Sequence, residues 1–278
     1  MANLISAAPA PRAMTSAPGV GGLLRDWRRQ RRLSQLDLAN EAAVSARHLS
    51  FVETGRSRPS RELVLHLAER LDVPLRERNT LLLAAGYAPS YAQTPLEAEE
   101  MAPVREALDR ILAGHEPFPA LVVDRWFDVV AANASALAVM SDGAAPHLLA
   151  PPVNALRVTV HPEGLAPRIV NFGEYATHLI DRLRRELATH RDERVQALHD
   201  ELCSYPGVAG SPSPGDTAAA LFVPLVLRTG EGELTFFSTV ATFGTARDVT
   251  VAELSIESFF PADEATAAVL RARWATAG

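Results

Sequence analysis

Two folded units of different class are expected: an all-α unit of five short helices over residues 20–88, and an α+β unit over 117–275 with an antiparallel five-stranded sheet. Three observations predict this. Between Leu23 and Leu83 apolar residues recur at helical spacing, with serines standing where helices would start. At Pro119 the period changes to that of strands, as in Leu121-Val122-Val123 and Val129-Val130-Ala131-Ala132. Charge divides at the same place: residues 20–90 hold 12 arginines against 8 acids, net +4, while residues 91–278 hold 14 against 25, net −11. A weakly basic unit joined to an acidic one suits a nucleic-acid binder whose second unit faces away from phosphate.

Residues 1–19 are rich in Ala, Pro and Ser without periodicity, which predicts a disordered tail and no signal peptide. A first helix over about 21–32 carries Leu23, Leu24 and Trp27 on one side and Arg25, Arg28, Arg29, Arg31 and Arg32 on the other. Ser34, with Asp37 three residues on, caps a second helix whose apolar face is Leu36, Leu38 and Ala39. The chain turns at Ala42, Ala43 and Val44, and Ser45 caps a third helix that packs through Leu49 and Val52 and stops at Gly55. This is a helix-turn-helix, and Ser45, Ala46, Arg47, Ser50 and Phe51 are left as candidates for base contact. Small, basic and hydroxyl groups on a short helix fit a major groove, where Arg bonds two acceptors of guanine and Ala or Ser leaves room for a thymine methyl.

The stretch from Ser34 to Gly55 resembles the phage-repressor-like, Xre-type helix-turn-helix domain, through the Ser34-Gln35 opening and the Glu53-Thr54-Gly55 close followed by Arg56, Arg58 and Pro59. The resemblance implies phosphate contacts from Gln35, Arg56 and Arg58, and a structural pair between Arg28 and Glu53. An acid at a helix C-terminus opposes the helix dipole, so Glu53 calls for such a partner.

Ser60 caps a fourth helix carrying Leu63, Val64, Leu67 and Leu71, ended by Pro74, and a fifth over about 75–85 brings Leu81, Leu82 and Leu83 before Gly86. Residues 89–116 read as a linker and connecting helix, with Val104, Leu108, Ile111 and Leu112 in one stripe closed by Gly114; this helix is either a connector or part of a dimer contact. A hairpin follows, and Asn133 caps the next helix. Asn154 either caps a short helix or opens a strand with Leu156, Val158 and Val160. Tyr175, Leu179, Leu183 and Leu187 define a long helix, Val195, Leu198 and Leu202 another, and residues 206–216 an exposed loop. Strands are expected at 221–228 and 233–243, around the turn Thr229-Gly230-Glu231-Gly232, with one or two more over 249–260 and a closing helix over 262–274. Helices on one face of such a sheet commonly leave a cavity beneath them.

The order strand, turn, strand, asparagine, helix is similar to the opening of a PAS domain. With the segments NALRVTVHPEGLAPRIVNFGEY (154–175) and TFGTARDVTVAELSIESFFPADEAT, residues 20–275 resemble an MmyB-like transcription regulator, an Xre-type helix-turn-helix followed by a PAS-like ligand-binding domain. The resemblance implies a fatty-acid-like small-molecule effector, with Arg157 and Arg168 as candidate counter-charges and Phe172 and Tyr175 along its apolar part. The implied protein is a homodimer on palindromic double-stranded DNA, since one short recognition helix reads too few base pairs. An alternative is a DNA-recruited interaction module whose second unit binds a partner protein.

Other classes lack their signals. No glycine-rich phosphate loop, paired-cysteine motif, His-Glu-x-x-His stretch or Gly-x-Ser-x-Gly elbow occurs, and His161, His178, His190 and His199 are too scattered to argue for a metal. Neither catalysis, a cofactor nor a metal is therefore expected. Cys203 is the only cysteine, so an intrachain disulfide is excluded and the residue reads as a small core group. No apolar run approaches the roughly 20 residues of a membrane span, and a cytoplasmic location is expected.

Overall fold

The computed structural model describes residues 19–189, 192–208 and 222–277, divided into two compact units at Tyr91/Ala92. The predicted tail, apart from Gly19, and residues 209–216 of the predicted loop lie outside the described residues.

The first unit holds α1 (Val20–Gln30), α2 (Gln35–Glu41), α3 (Ala46–Glu53), α4 (Arg61–Arg70) and α5 (Leu75–Ala84). Ser34 and Asp37 close a reciprocal capping box on α2, each side chain accepting the other residue's backbone N–H at 3.1 and 2.9 Å. Ser45 caps α3 through the His48 N–H and Ser60 caps α4 through the Leu63 N–H. The α2–α3 turn passes through Ala43 at φ 51°, a left-handed position where glycine is the usual choice; Gly55 takes that role after α3 at φ 73°. Gly21 has a packing reason: a Cβ there would lie 2.1 Å from the Val52 carbonyl oxygen, so α1 and the end of α3 touch backbone to backbone. Leu24, Leu38, Leu49, Leu67 and Leu82 form the centre of the core. Leu36 departs from its predicted place. It is 59% exposed, because burying Leu38 and Ala39 turns position 36 to the opposite side of a helix with 3.6 residues per turn.

The second unit contains α6 (Ala102–His115), β1 (Ala120–Val123), β2 (Val129–Ala132), α7 (Ala134–Ser141), α8 (Ala155–Val160), α9 (Phe172–Thr189), α10 (Glu193–Cys203), β3 (Leu225–Thr229), β4 (Gly232–Thr242), α11 (Val249–Ala252), β5 (Ser255–Pro261) and α12 (Glu264–Ala277). The sheet is antiparallel throughout in the order β2-β1-β5-β4-β3. Asn133 ties two elements together: its Oδ1 accepts from the Ala136 N–H of α7 and the Ala120 N–H of β1, and its Nδ2 donates to the Phe118 carbonyl. Asn154 resolves to the helical alternative, accepting the Arg157 N–H at the start of α8. Residues 249–252 turn as helix because Asp248 accepts the Thr250 N–H, which leaves β5 alone in that stretch.

Alternation along β1 serves two cores. Leu121 and Val123 point into the main core with α8, α9 and α10, while Ala120 and Val122 meet Leu108 and Leu112 of α6 with Leu254 and Ile256. Helices therefore cover both faces, which corrects the one-face expectation. α6 runs past Gly114 to His115 and is part of the second unit's packing. Among the described residues no helix is long and apolar enough to cross a membrane.

Replacing Asn133 by Ala strands two buried N–H groups and removes a helix cap. The expected cost is about 2–4 kcal/mol in urea unfolding; a change below about 0.5 kcal/mol would mean that neighbouring groups or water replace the amide.

Candidate DNA interface and ligand cavity

In the first unit the orientation of α3 follows from one buried acid. Glu53, 3% exposed, receives Arg28 Nε at 2.6 Å and a second Arg28 nitrogen at 2.8 Å, and Gln35 Nε2 at 2.9 Å. Arg28 also donates to the Leu33 carbonyl. One carboxylate thus gathers α1, the start of α2 and the end of α3. Burial pushes the Glu53 carboxyl up, but the Arg28 and Gln35 hydrogen bonds and then the charges of Arg28 and Arg25 outweigh it and hold the group below the usual glutamate range.

With Leu49, Val52 and Glu53 turned inward, α3 leaves Ser45 and Arg47 exposed and Ala46, Ser50 and Phe51 half-buried. The Arg47 guanidinium lies over the Phe51 ring, 5.4 Å from its centre, which restrains a long side chain on the free face. His48 is exposed beside Arg47. Arg56 is exposed in the loop after α3.

Two of the expected phosphate contacts, Gln35 and Arg58, also have partners within the fold, and Arg58 is exposed. One Gln35 amide N–H is given to Glu53, and the second amide N–H and the backbone amides at the start of α2 are what the residue can offer there. Arg58 donates through Nε and a terminal nitrogen to the Ala85 carbonyl at 3.2 and 2.9 Å and lies over Tyr87. It satisfies the open C-terminus of α5, where a cation complements the dipole.

In the second unit a cavity of about 60 Å³ lies between the sheet and α7, α8 and α9. Leu121 and Phe236 from the strands and Met140 and Leu179 from the helices supply apolar wall. Its polar side chains are Thr159, Tyr175 and Glu257. Of the four residues expected around a ligand, Tyr175 is on this wall. Arg157 is instead closed by Glu201 in two hydrogen bonds of 2.6 and 2.7 Å, and Arg168 pairs with Asp142 and donates to the Arg228 carbonyl. Phe172 packs toward Gly207 and is not part of the wall. Glu257 was missed, although strand alternation in Ile256-Glu257-Ser258-Phe259 sets it on the same face as Phe259.

Elsewhere, His147, His161 and Glu163 bring potential ligand atoms within 4.8 Å of one another, a grouping the sequence spacing did not suggest. His161 Nδ1 already accepts the Glu163 N–H, and His147 and Glu163 are exposed.

Residues 20–81 match the family model of a helix-turn-helix domain, and residues 104–272 match that of the MmyB-like transcription regulator ligand binding domain. The chain belongs to the MmyB-like transcription regulators. No curated protein matches it. This MmyB-like regulator therefore joins a DNA-binding helix-turn-helix to a domain for a small-molecule effector.

Truncating Glu53 to Ala leaves the buried Arg28 charge unpaired and should cost the first unit about 3–5 kcal/mol in denaturant. The folded-state value of Glu53 is depressed, so its contribution is whole above the ordinary value near 4.5 and is lost as pH falls below it. Acid titration of unfolding should show this loss in the wild type and a flatter profile in Glu53→Ala. Equal profiles would assign the acid sensitivity to other carboxylates.

Proposed function

We propose that this regulator binds a palindromic operator as a homodimer, with α3 in the major groove, and that a small hydrophobic, fatty-acid-like effector in the second unit's cavity alters operator affinity. The observation that carries the reading is the free face of α3, with Ser45 and Arg47 exposed, Ala46, Ser50 and Phe51 beside them, and Arg47 restrained over Phe51. Arg47 is the base-reading residue, Arg56 and the exposed Arg58 are phosphate contacts, and Gln35 reaches phosphate from the start of α2. We take the cytoplasm as its site of action, on DNA. The cavity supports the effector, and an effector shifts DNA binding only if it binds the two states of the protein with different affinity. The partner-protein reading draws on Val130 and Leu137, exposed near the edge strand β2.

With an operator recovered by selection from random DNA, Arg47→Ala should weaken binding by about 1–3 kcal/mol and relax discrimination at one base pair. Equal weakening on every sequence would make Arg47 a phosphate contact. Arg56→Ala should lower affinity uniformly and reduce the salt slope by about 1; an unchanged slope removes it from the interface. Sedimentation of the protein–operator complex should give two chains per palindrome, and a single chain would overturn the dimer.

A further inference from the structure

The turn after α8 brings together three groups that suit a metal and that neither the DNA face nor the cavity uses. His161 follows α8 directly, and its N–H donates to the Arg157 carbonyl at 3.0 Å. The chain then folds back on the helix: Gly164 donates to the His161 carbonyl and Leu165 to the Val158 carbonyl, at 2.8 and 2.9 Å. The approach is so close that a Cβ on Gly164 would lie 2.1 Å from the Val158 oxygen. The segment ahead of His147 is tied to the same turn, since Ala145 donates to the Glu163 carbonyl at 2.8 Å, and Leu148 beyond it is buried. Backbone hydrogen bonds thus set His147, His161 and Glu163 beside one another, with one potential ligand atom from each within 4.8 Å of the others.

Two imidazoles and a carboxylate suit zinc, and three protein ligands leave a fourth position for water. His147 Nε2 lies 3.9 Å from a Glu163 oxygen, against about 3.3 Å between neighbouring ligands of a tetrahedral zinc. Side-chain rotation closes the gap, because the His147 and Glu163 side chains are 59% and 66% exposed and have room to turn. His161 is the fixed member. Its ring stands edge-on to Tyr205, centres 4.8 Å apart, and Tyr205 is hydrogen-bonded to Glu201. His161 Nδ1 accepts the Glu163 N–H at 3.0 Å, which keeps that nitrogen unprotonated. A metal at Nδ1 takes over this lone pair and leaves an exposed N–H to water; a metal at Nε2 needs the other tautomer. Either way ligation gives up one surface hydrogen bond, a small loss beside three metal bonds. The charge suits a cation as well: among the described residues no arginine pairs with Glu163, and Arg157 and Arg168 are held by Glu201 and Asp142. His199 and Cys203, 3.7 Å apart on α10, are also potential donors, but no third ligand group joins them among the described residues.

We propose that His147, His161 and Glu163 form a zinc site on the surface of the second unit, with water completing the coordination. The ion ties the segment around His147 to the C-terminal end of α8, a helix that supplies Ala155, Leu156 and Thr159 to the cavity wall. The three ligands are not on that wall, and the site stands independently of the effector reading.

The test is calorimetric titration of the metal-free full chain with zinc chloride. One ion per chain should bind with a Kd of about 10 μM or tighter, and the melting temperature should rise with zinc concentration. His147→Ala and Glu163→Gln should each weaken binding at least about tenfold. Both side chains are exposed, so neither change should move the melting temperature without zinc. Cobalt(II) in place of zinc should give tetrahedral d–d absorption without a sulfur charge-transfer band, and Cys203→Ser should leave zinc affinity unchanged. Zinc binding that survives both His147→Ala and Glu163→Gln would overturn the proposal. Loss of binding in Cys203→Ser would overturn it in favour of the His199 and Cys203 pair, and no binding up to about 1 mM zinc would overturn it outright.

Discussion

The Glu53 carboxylate is the constraint on which the DNA-reading unit depends. Three short helices of 7 to 11 residues have little stability alone, and their relative angles must come from tertiary contacts. Leucines supply the driving force but little direction. The bidentate Arg28 pair and the Gln35 amide add direction, because a planar carboxylate and a planar guanidinium meet in few geometries. Once Glu53 is drawn inward, a period of 3.6 turns Arg47 out, and the free face of α3 follows.

The same set of contacts explains why polar residues with similar sequence settings have different duties. Gln35, Arg56 and Arg58 all stand near the helix-turn-helix, yet Gln35 is turned into the ion pair and Arg58 to the end of α5. Each satisfies a buried or terminal polar group that would otherwise be left open. Arg56 has no such demand placed on it within the fold and remains at the surface.

In the second unit, the two faces of β1 separate a core under α6 from the core that surrounds the cavity. Asn133 holds this division by joining the start of α7 to β1 and to the segment before it. The cavity is thereby bounded by a sheet face that carries Glu257 and by a helix that carries Tyr175.

Much of this was legible in the sequence because it is local. Ser34, Ser45, Ser60 and Asn133 cap helices within three residues of themselves, the shift from helical to alternating period marks the sheet, and Gly55 supplies a positive φ. The family resemblance also brought Arg28 and Glu53 together, which spacing alone does not do. What escaped was set by contacts distant in sequence. Glu201 lies 44 residues from Arg157 and closes it, and Glu257 lies 75 residues from Arg182. Local sequence determined where helices and strands begin, since a cap or a period needs only its neighbours. Only the tertiary structure decided which charges are spent on one another and which face the cavity, because pairing depends on distance in space and on exclusion of water.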